Sequence, residues 1–97
     1  MATYIALVHF TDQGIRNIKQ TTERAKALSA AAAKLGVKVK DTYWTMGAYD
    51  VVLVAEAPND EAITALALSV GALGNIRMQT MRAYSAEEMS KIIAKMV

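Results

Sequence analysis

Ninety-seven residues make one domain, 1–97, long enough to bury its own core. A net charge of +2 is too weak to mark a nucleic-acid binder by electrostatics, and the lack of cysteine excludes disulfides, thiolate catalysis and cysteine metal sites. Hydrophobic residues reach 54%, slightly above the globular norm of about 45–50%, an excess that points to apolar surface covered by a partner.

The chain opens on Met1-Ala2-Thr3-Tyr4 without a basic stretch, and the apolar run Ile5–Val8 is too short for a signal peptide. No segment approaches the roughly 20 apolar residues of a membrane span, so the expected location is cytoplasmic, with no membrane partner. Thr3–Phe10 reads as a first strand that ends at the cap signal Thr11-Asp12. From Asp12 to Leu35 the residues Ile15, Ile18, Thr22, Ala25, Leu28, Ala32 and Leu35 recur at spacings of three and four, predicting one helix stopped by Gly36. Val37–Met46 is a second strand whose Lys38 and Lys40 mark a sheet edge. Gly47-Ala48 fits a two-residue turn with glycine first, leading into strand three over Tyr49–Ala57. Pro58 stops that strand, and Asn59 or Asp60 caps a helix that ends at Gly71 or Gly74 and buries Ile63, Leu66, Ala67 and Val70. Asn75–Tyr84 is strand four. Ser85 with Glu88 forms a capping box for a last helix expected to bury Met89, Ile92, Ile93 and Met96.

The order βαββαβα predicts an α+β, ferredoxin-like sandwich with a four-stranded antiparallel sheet and two helices on one face. Strands one and three are expected as a parallel centre, with strands two and four at the edges. Ile5 and Leu7 point one way and Ala6, Val8 and Phe10 the other; Val51 and Leu53 alternate likewise with Val52 and Val54. Two helices cover only one such face. The last helix or a second copy of the chain must cover the other, and a second copy is preferred.

Three stretches carry a family resemblance: Thr11–Arg16 with Ile18-Lys19; Tyr43–Asp50; and Gly71–Arg77 leading to Arg82-Ala83-Tyr84. Together they resemble the GYD-domain family, named for a glycine-tyrosine-aspartate segment that here is Gly47, Tyr49 and Asp50, with Ala48 inserted. The chain departs from the family pattern at Met78 and Gln79, where threonines are usual. The resemblance spans essentially the whole chain and implies kinship with the dimeric α+β-barrel group, whose members pair their sheets and often enclose a small molecule. It implies no particular reaction.

The candidate ligand-binding residues are Asp50, Tyr49, Trp44, Arg77, His9 and Lys19; none is assigned a catalytic role. Asp50 is a carboxylate in an apolar strand, which requires a hydrogen-bonding partner or a functional reason. Hydrogen bonds from the hairpin or from Lys19, Arg24 or Arg77 would make it structural. Arg77 and Arg82 lie on opposite faces of an edge strand, and one of them is suited to an anionic group. Trp44, Tyr43 and Tyr49 flank the hairpin as core, seam or pocket wall. His9 is the only histidine, poor ground for a metal site, and with strands one and three parallel it reaches the site only from a partner's copy. Strand three has no stacking aromatics, which disfavours RNA. No cofactor is expected. The leading functional expectation is a small-molecule-binding, sensor or accessory protein acting as a homo-oligomer. The alternatives are a cofactor-independent enzyme of monooxygenase or isomerase kind, with its pocket between sheet and partner, and a purely structural oligomer.

Overall fold

The alternating run Ala2–Phe10 forms β1, which in this computed structural model, describing residues 1–97, lies in the middle of a four-stranded sheet. The other strands are β2 (Lys38–Trp44), β3 (Val51–Ala57) and β4 (Ile76–Ala83), and the spatial order is β2-β3-β1-β4. Every neighbouring pair is antiparallel. The expected parallel pairing of β1 with β3 is therefore corrected. The helical crossover after β1 returns the chain parallel to β1 in β2, and the hairpin then reverses it, so β3 runs against β1.

The expected single helix over 12–35 is three pieces: α1 (Asp12–Arg16), a 3₁₀ turn (Ile18–Gln20) and α2 (Thr21–Lys34). Thr11 caps α1 by accepting from the Gly14 amide at 3.1 Å, while its hydroxyl donates to the Gly74 carbonyl. Gly14 is buried against β4's approach; a Cβ there would collide with the Asn75 carbonyl oxygen. The break falls at Asn17, and Arg24 one turn into α2 holds it by donating to the carbonyls of Asn17 (2.7 Å) and Gly14 (3.3 Å). With the helix broken, Ile15 and Ile18 are exposed, whereas Leu28 and Ala32 are buried.

β2 carries a bulge at Lys40, so Lys38, Asp41 and Tyr43 share one face with Glu56, Val54 and Val52, and Val39, Thr42 and Trp44 share the other. Asn59 caps α3 (Asp60–Gly71) through Ala62 N at 2.9 Å. Tyr4, Ala6, Val8, Val51, Leu53, Ala55 and Ala57 bury one sheet face against Leu28 and Ala32 of α2 and Ile63 and Leu66 of α3. Ile5, Leu7, Val52 and Val54 occupy the opposite face and are half-buried.

The capping box of α4 (Ala86–Ile93) forms as expected, with Ser85 and Glu88 bonding each other's backbone. Its burial does not follow. Met89, Ile92, Ile93 and Met96 are all exposed, and α4 contains no buried residue. The reason is reach: α4 follows β4 directly and is tied only at its first turn. There Arg82 pairs with Glu88 at 3.0 Å, donates to the Thr3 and Ala83 carbonyls and stacks over Tyr84. At the same end Tyr4 donates to Asp60, which fastens the start of α3 to β1 and raises the phenol above its ordinary value of 10. No helix is long and apolar enough to cross a membrane.

Gly14→Ala should lower stability despite a gain of about 1 kcal/mol in helix propensity. A backbone oxygen cannot yield as a side chain can, and overpacking costs about 1–3 kcal/mol. Thermal melts should show a lower Tm. The Ser85 amide and the Arg82 guanidinium hold the Glu88 carboxyl below its ordinary 4.5. Its contribution is therefore complete above pH 4.5 and is lost as pH falls through the lowered folded value. The hydrogen-exchange protection factors of α4, referred to the intrinsic rate at each pH, should fall on acidification through that window, and Glu88→Gln should remove most of the dependence.

Candidate functional site

The loop joining β2 to β3 is wider than the two-residue turn expected. Thr45 N donates to Asp50 O at 2.8 Å, the Thr45 hydroxyl donates to the Tyr49 carbonyl, and Gly47 takes a φ of +107° inside the four enclosed residues. This wider closure shortens β3, which begins at Val51 rather than Tyr49. Asp50 continues the β1 ladder through its own amide, which donates to Val8 O at 2.8 Å. Its carboxylate accepts from the Phe10 amide at 2.8 Å, supplying a partner for the last backbone donor of β1. Asp50 is thereby a strand terminator, and none of Lys19, Arg24 and Arg77 reaches it.

Antiparallel pairing brings His9 to the loop within one chain, correcting the expectation that only a partner could supply it. Its ring lies 4.6 Å from that of Tyr49, whose hydroxyl is 3.3 Å from Gln79 Oε1. His9, Tyr49 and Gln79 form a polar margin to the open apolar face, beside Ile5, Leu7, Val52 and Val54. Arg77 is opposite His9 in the β1–β4 register, but its guanidinium turns around the sheet edge to the Gly71 carbonyl at 3.3 Å. Lys19 lies exposed in the 3₁₀ turn, apart from the others. Gln79, a departure from the family pattern, is not among the candidate residues; its alternation with Arg77 and Met81 on strand four is the signal that places it there.

Trp44 lies on the other side of the sheet. Its indole donates to Thr21 Oγ1 at 3.0 Å and closes one wall of a cavity of about 170 Å³ between the sheet, α2 and α3. Val8, Phe10, Val51 and Leu53 form the cavity's sheet side, and Arg24 and Asn75 are among its few polar lining residues. Of the six candidates, then, His9 and Tyr49 meet on one face and Trp44 belongs to the opposite one. Asp50 lies between them as backbone support, while Arg77 and Lys19 lie outside both. No three His, Asp or Glu side chains converge as metal ligands.

Residues 4–93 match the family model of the GYD domain. A protein of Thermus thermophilus, named glutamine synthetase and cystathionine beta-lyase binding protein, is 30% identical over 84 residues, covering 86% of this chain and 88% of that one. The crystal structure of a protein from the same organism aligns with a TM-score of 0.57 at 24% identity, over 89% of this chain and 96% of that chain, and has the same fold.

Asp50→Ala should lower stability by about 1.5–3 kcal/mol, the range for a hydrogen bond to a charged group, and urea melts measure it directly. Asp50→Asn keeps an acceptor for Phe10 and should recover roughly half. A loss below about 0.5 kcal/mol in both variants would contradict the terminator role.

Proposed function

The chain belongs to the GYD domain family, and from that premise we propose that it is an accessory protein that works by binding other proteins. The observation that carries this reading is α4. Met89, Ile92 and Ile93 recur at spacings of three and one, which puts them on one side of the helix; all three are exposed, as is Met96 just beyond its end. An amphipathic helix held off its own domain is suited to lie in an apolar groove of a partner. The two methionines are unbranched and fit irregular surfaces. The Thermus relative's name describes a protein that binds two enzymes, and we extend that mode of action to this chain, with glutamine synthetase as the first partner to test.

The finer form of the proposal is a ferredoxin-like sandwich of dimeric α+β-barrel type, acting in the cytoplasm as a homo-oligomer. A second copy would cover Ile5, Leu7, Val52 and Val54, with His9 and Tyr49 at the seam. Covering apolar surface contributes about 25 cal/mol per Å², and this face is continuous across both central strands. The two surfaces have separate tasks: the sheet face joins copies, and α4 joins the partner.

Val52→Glu should convert a dimer or larger assembly to monomer in light scattering at micromolar concentration, with the fold retained. Ile93→Lys should leave the assembly intact and weaken binding to the purified glutamine synthetase of the same organism by tenfold or more, which corresponds to about 1.4 kcal/mol or more. A wild-type chain that stays monomeric throughout would refute the sheet-face assignment. Unchanged enzyme binding by Ile93→Lys would refute that of α4.

A further inference from the structure

We infer that the cavity beneath α2 is a binding site for a small apolar carboxylate, an aryl or branched alkyl acid of about one ring's size. This inference is separate from the protein-binding reading, because the cavity lies on the opposite side of the sheet from the open face. Three observations carry it.

The first is volume and lining. The cavity measures about 170 Å³ and 12 of its 17 lining residues are hydrophobic. It is open to solvent on one side, where Trp44 and Leu73 are exposed, and its apolar lining gains contacts when an apolar body fills it. An engineered apolar cavity of about 150 Å³ takes up benzene, which sets the scale of the occupant.

The second is charge. Arg24 lines the cavity, is half-buried and makes no ion pair with any carboxylate of the chain. Its guanidinium spends two donors on the carbonyls of Asn17 and Gly14, which fix its position and leave its charge without a counter-ion. Asn75 also lines the cavity, and its backbone oxygen occupies the space a Cβ on Gly14 would need. Gln13 donates to Asn75 Oδ1 at 3.0 Å, which occupies the acceptor end of that amide and not its N–H groups. A fixed guanidinium and an oriented amide beside an apolar chamber complement a carboxylate on an apolar body.

The third is the wall opposite. Trp44 is held by Thr21 and offers an aromatic surface to a ring in the chamber. It is also the only tryptophan, so its fluorescence reports occupancy without interference.

The test uses phenylacetate, with benzyl alcohol and phenethylammonium as uncharged and cationic counterparts, titrated into the full-length protein. Trp44 fluorescence should change saturably with phenylacetate, with binding about tenfold tighter than that of benzyl alcohol, and phenethylammonium should bind weakest. Arg24→Gln should bring phenylacetate down to the level of benzyl alcohol and leave benzyl alcohol unchanged. Ala25→Leu, which places a side chain into the chamber from α2, should abolish binding of both and raise the Tm. Should Arg24→Gln fail to fold, the ranking of the three probes on the wild type and the Ala25→Leu variant decide the matter. Phenylacetate binding no tighter than benzyl alcohol overturns the carboxylate assignment. No Trp44 response to any probe, or binding unaffected by Ala25→Leu, overturns the site.

Discussion

β1 is bonded along nearly its whole length on both sides, from Ala2–Val8 to β3 and from Thr3–Phe10 to β4, and everything else in the domain is arranged by that fact. A strand with two neighbours has no free edge, so its side chains set both faces of the sheet. In β1 those side chains are apolar on both: Ala6 and Val8 beneath the helices, Ile5 and Leu7 on the open side. The helices satisfy one face, while α4 stands away from the other. The resulting imbalance is a property of the central strand and cannot be relieved by rotating a surface side chain.

The second organising feature is the crowded end of the sheet at which β1 finishes. Residues of all three stretches that resemble the GYD family meet there, while Arg82-Ala83-Tyr84 lies at the opposite end beside Thr3. Thr11 takes the Asn75 and Gly74 carbonyls through its amide and hydroxyl, Gln13 takes Leu73 and Asn75, and Asp50 takes the Phe10 amide. These are mostly side chain-to-backbone bonds between segments far apart in sequence. They close polar groups that the ends of three strands and a helix would otherwise leave open. The motif aspartate is thus explained by chain termination, without any chemistry asked of it. The pairing of His9 with Tyr49 follows from the same closure, because it sets the loop directly beside the end of β1.

What the sequence made legible was whatever depends on local period and capping. Apolar runs bounded by cap, turn and breaker residues located β1, β3 and β4. Asn59 and Ser85 announced the starts of α3 and α4. What it hid depends on contacts between distant segments. The helix break at Asn17 is enforced by Gly14 packing on Asn75 and by Arg24 reaching back, whereas the apolar spacing runs on smoothly through the break. The wide loop hinges on Thr45 bonding Asp50 and Tyr49, which outweighs the turn preference of Gly47-Ala48. Met89, Ile92 and Ile93 share a face of α4 as their spacing predicts but are exposed instead of buried, since periodicity reports a face but not what meets it. The direction of β3 followed from topology alone and corrects the expectation about His9. The division of the candidate residues between two sides of the sheet follows from strand parity, which places Trp44 with Val51 and His9 with Leu7.

The cavity has its origin in the same long-range contacts. α2 is rich in alanine, and at its C-terminal end this lets the helix lie close: Ala32 is wholly buried and packs with Tyr4, Val37, Ala55 and Ala57 in one cluster. At its N-terminal end the helix begins only after α1 and the 3₁₀ turn have carried the chain past β1, and Arg24 ties that start to Asn17 and Gly14. Ala25 then borders the space left with a side chain too short to span it, and Phe10, Ile76 and Leu73 border it as well. Small residues therefore have opposite consequences along one helix, close packing where the backbone is free to approach and a void where it is held away. Filling the void with larger side chains is sterically simple and would stabilise the domain by restoring packing contacts. That the chain carries alanine there, next to an arginine without a counter-ion, is the combination a binding chamber requires and a plain core does not.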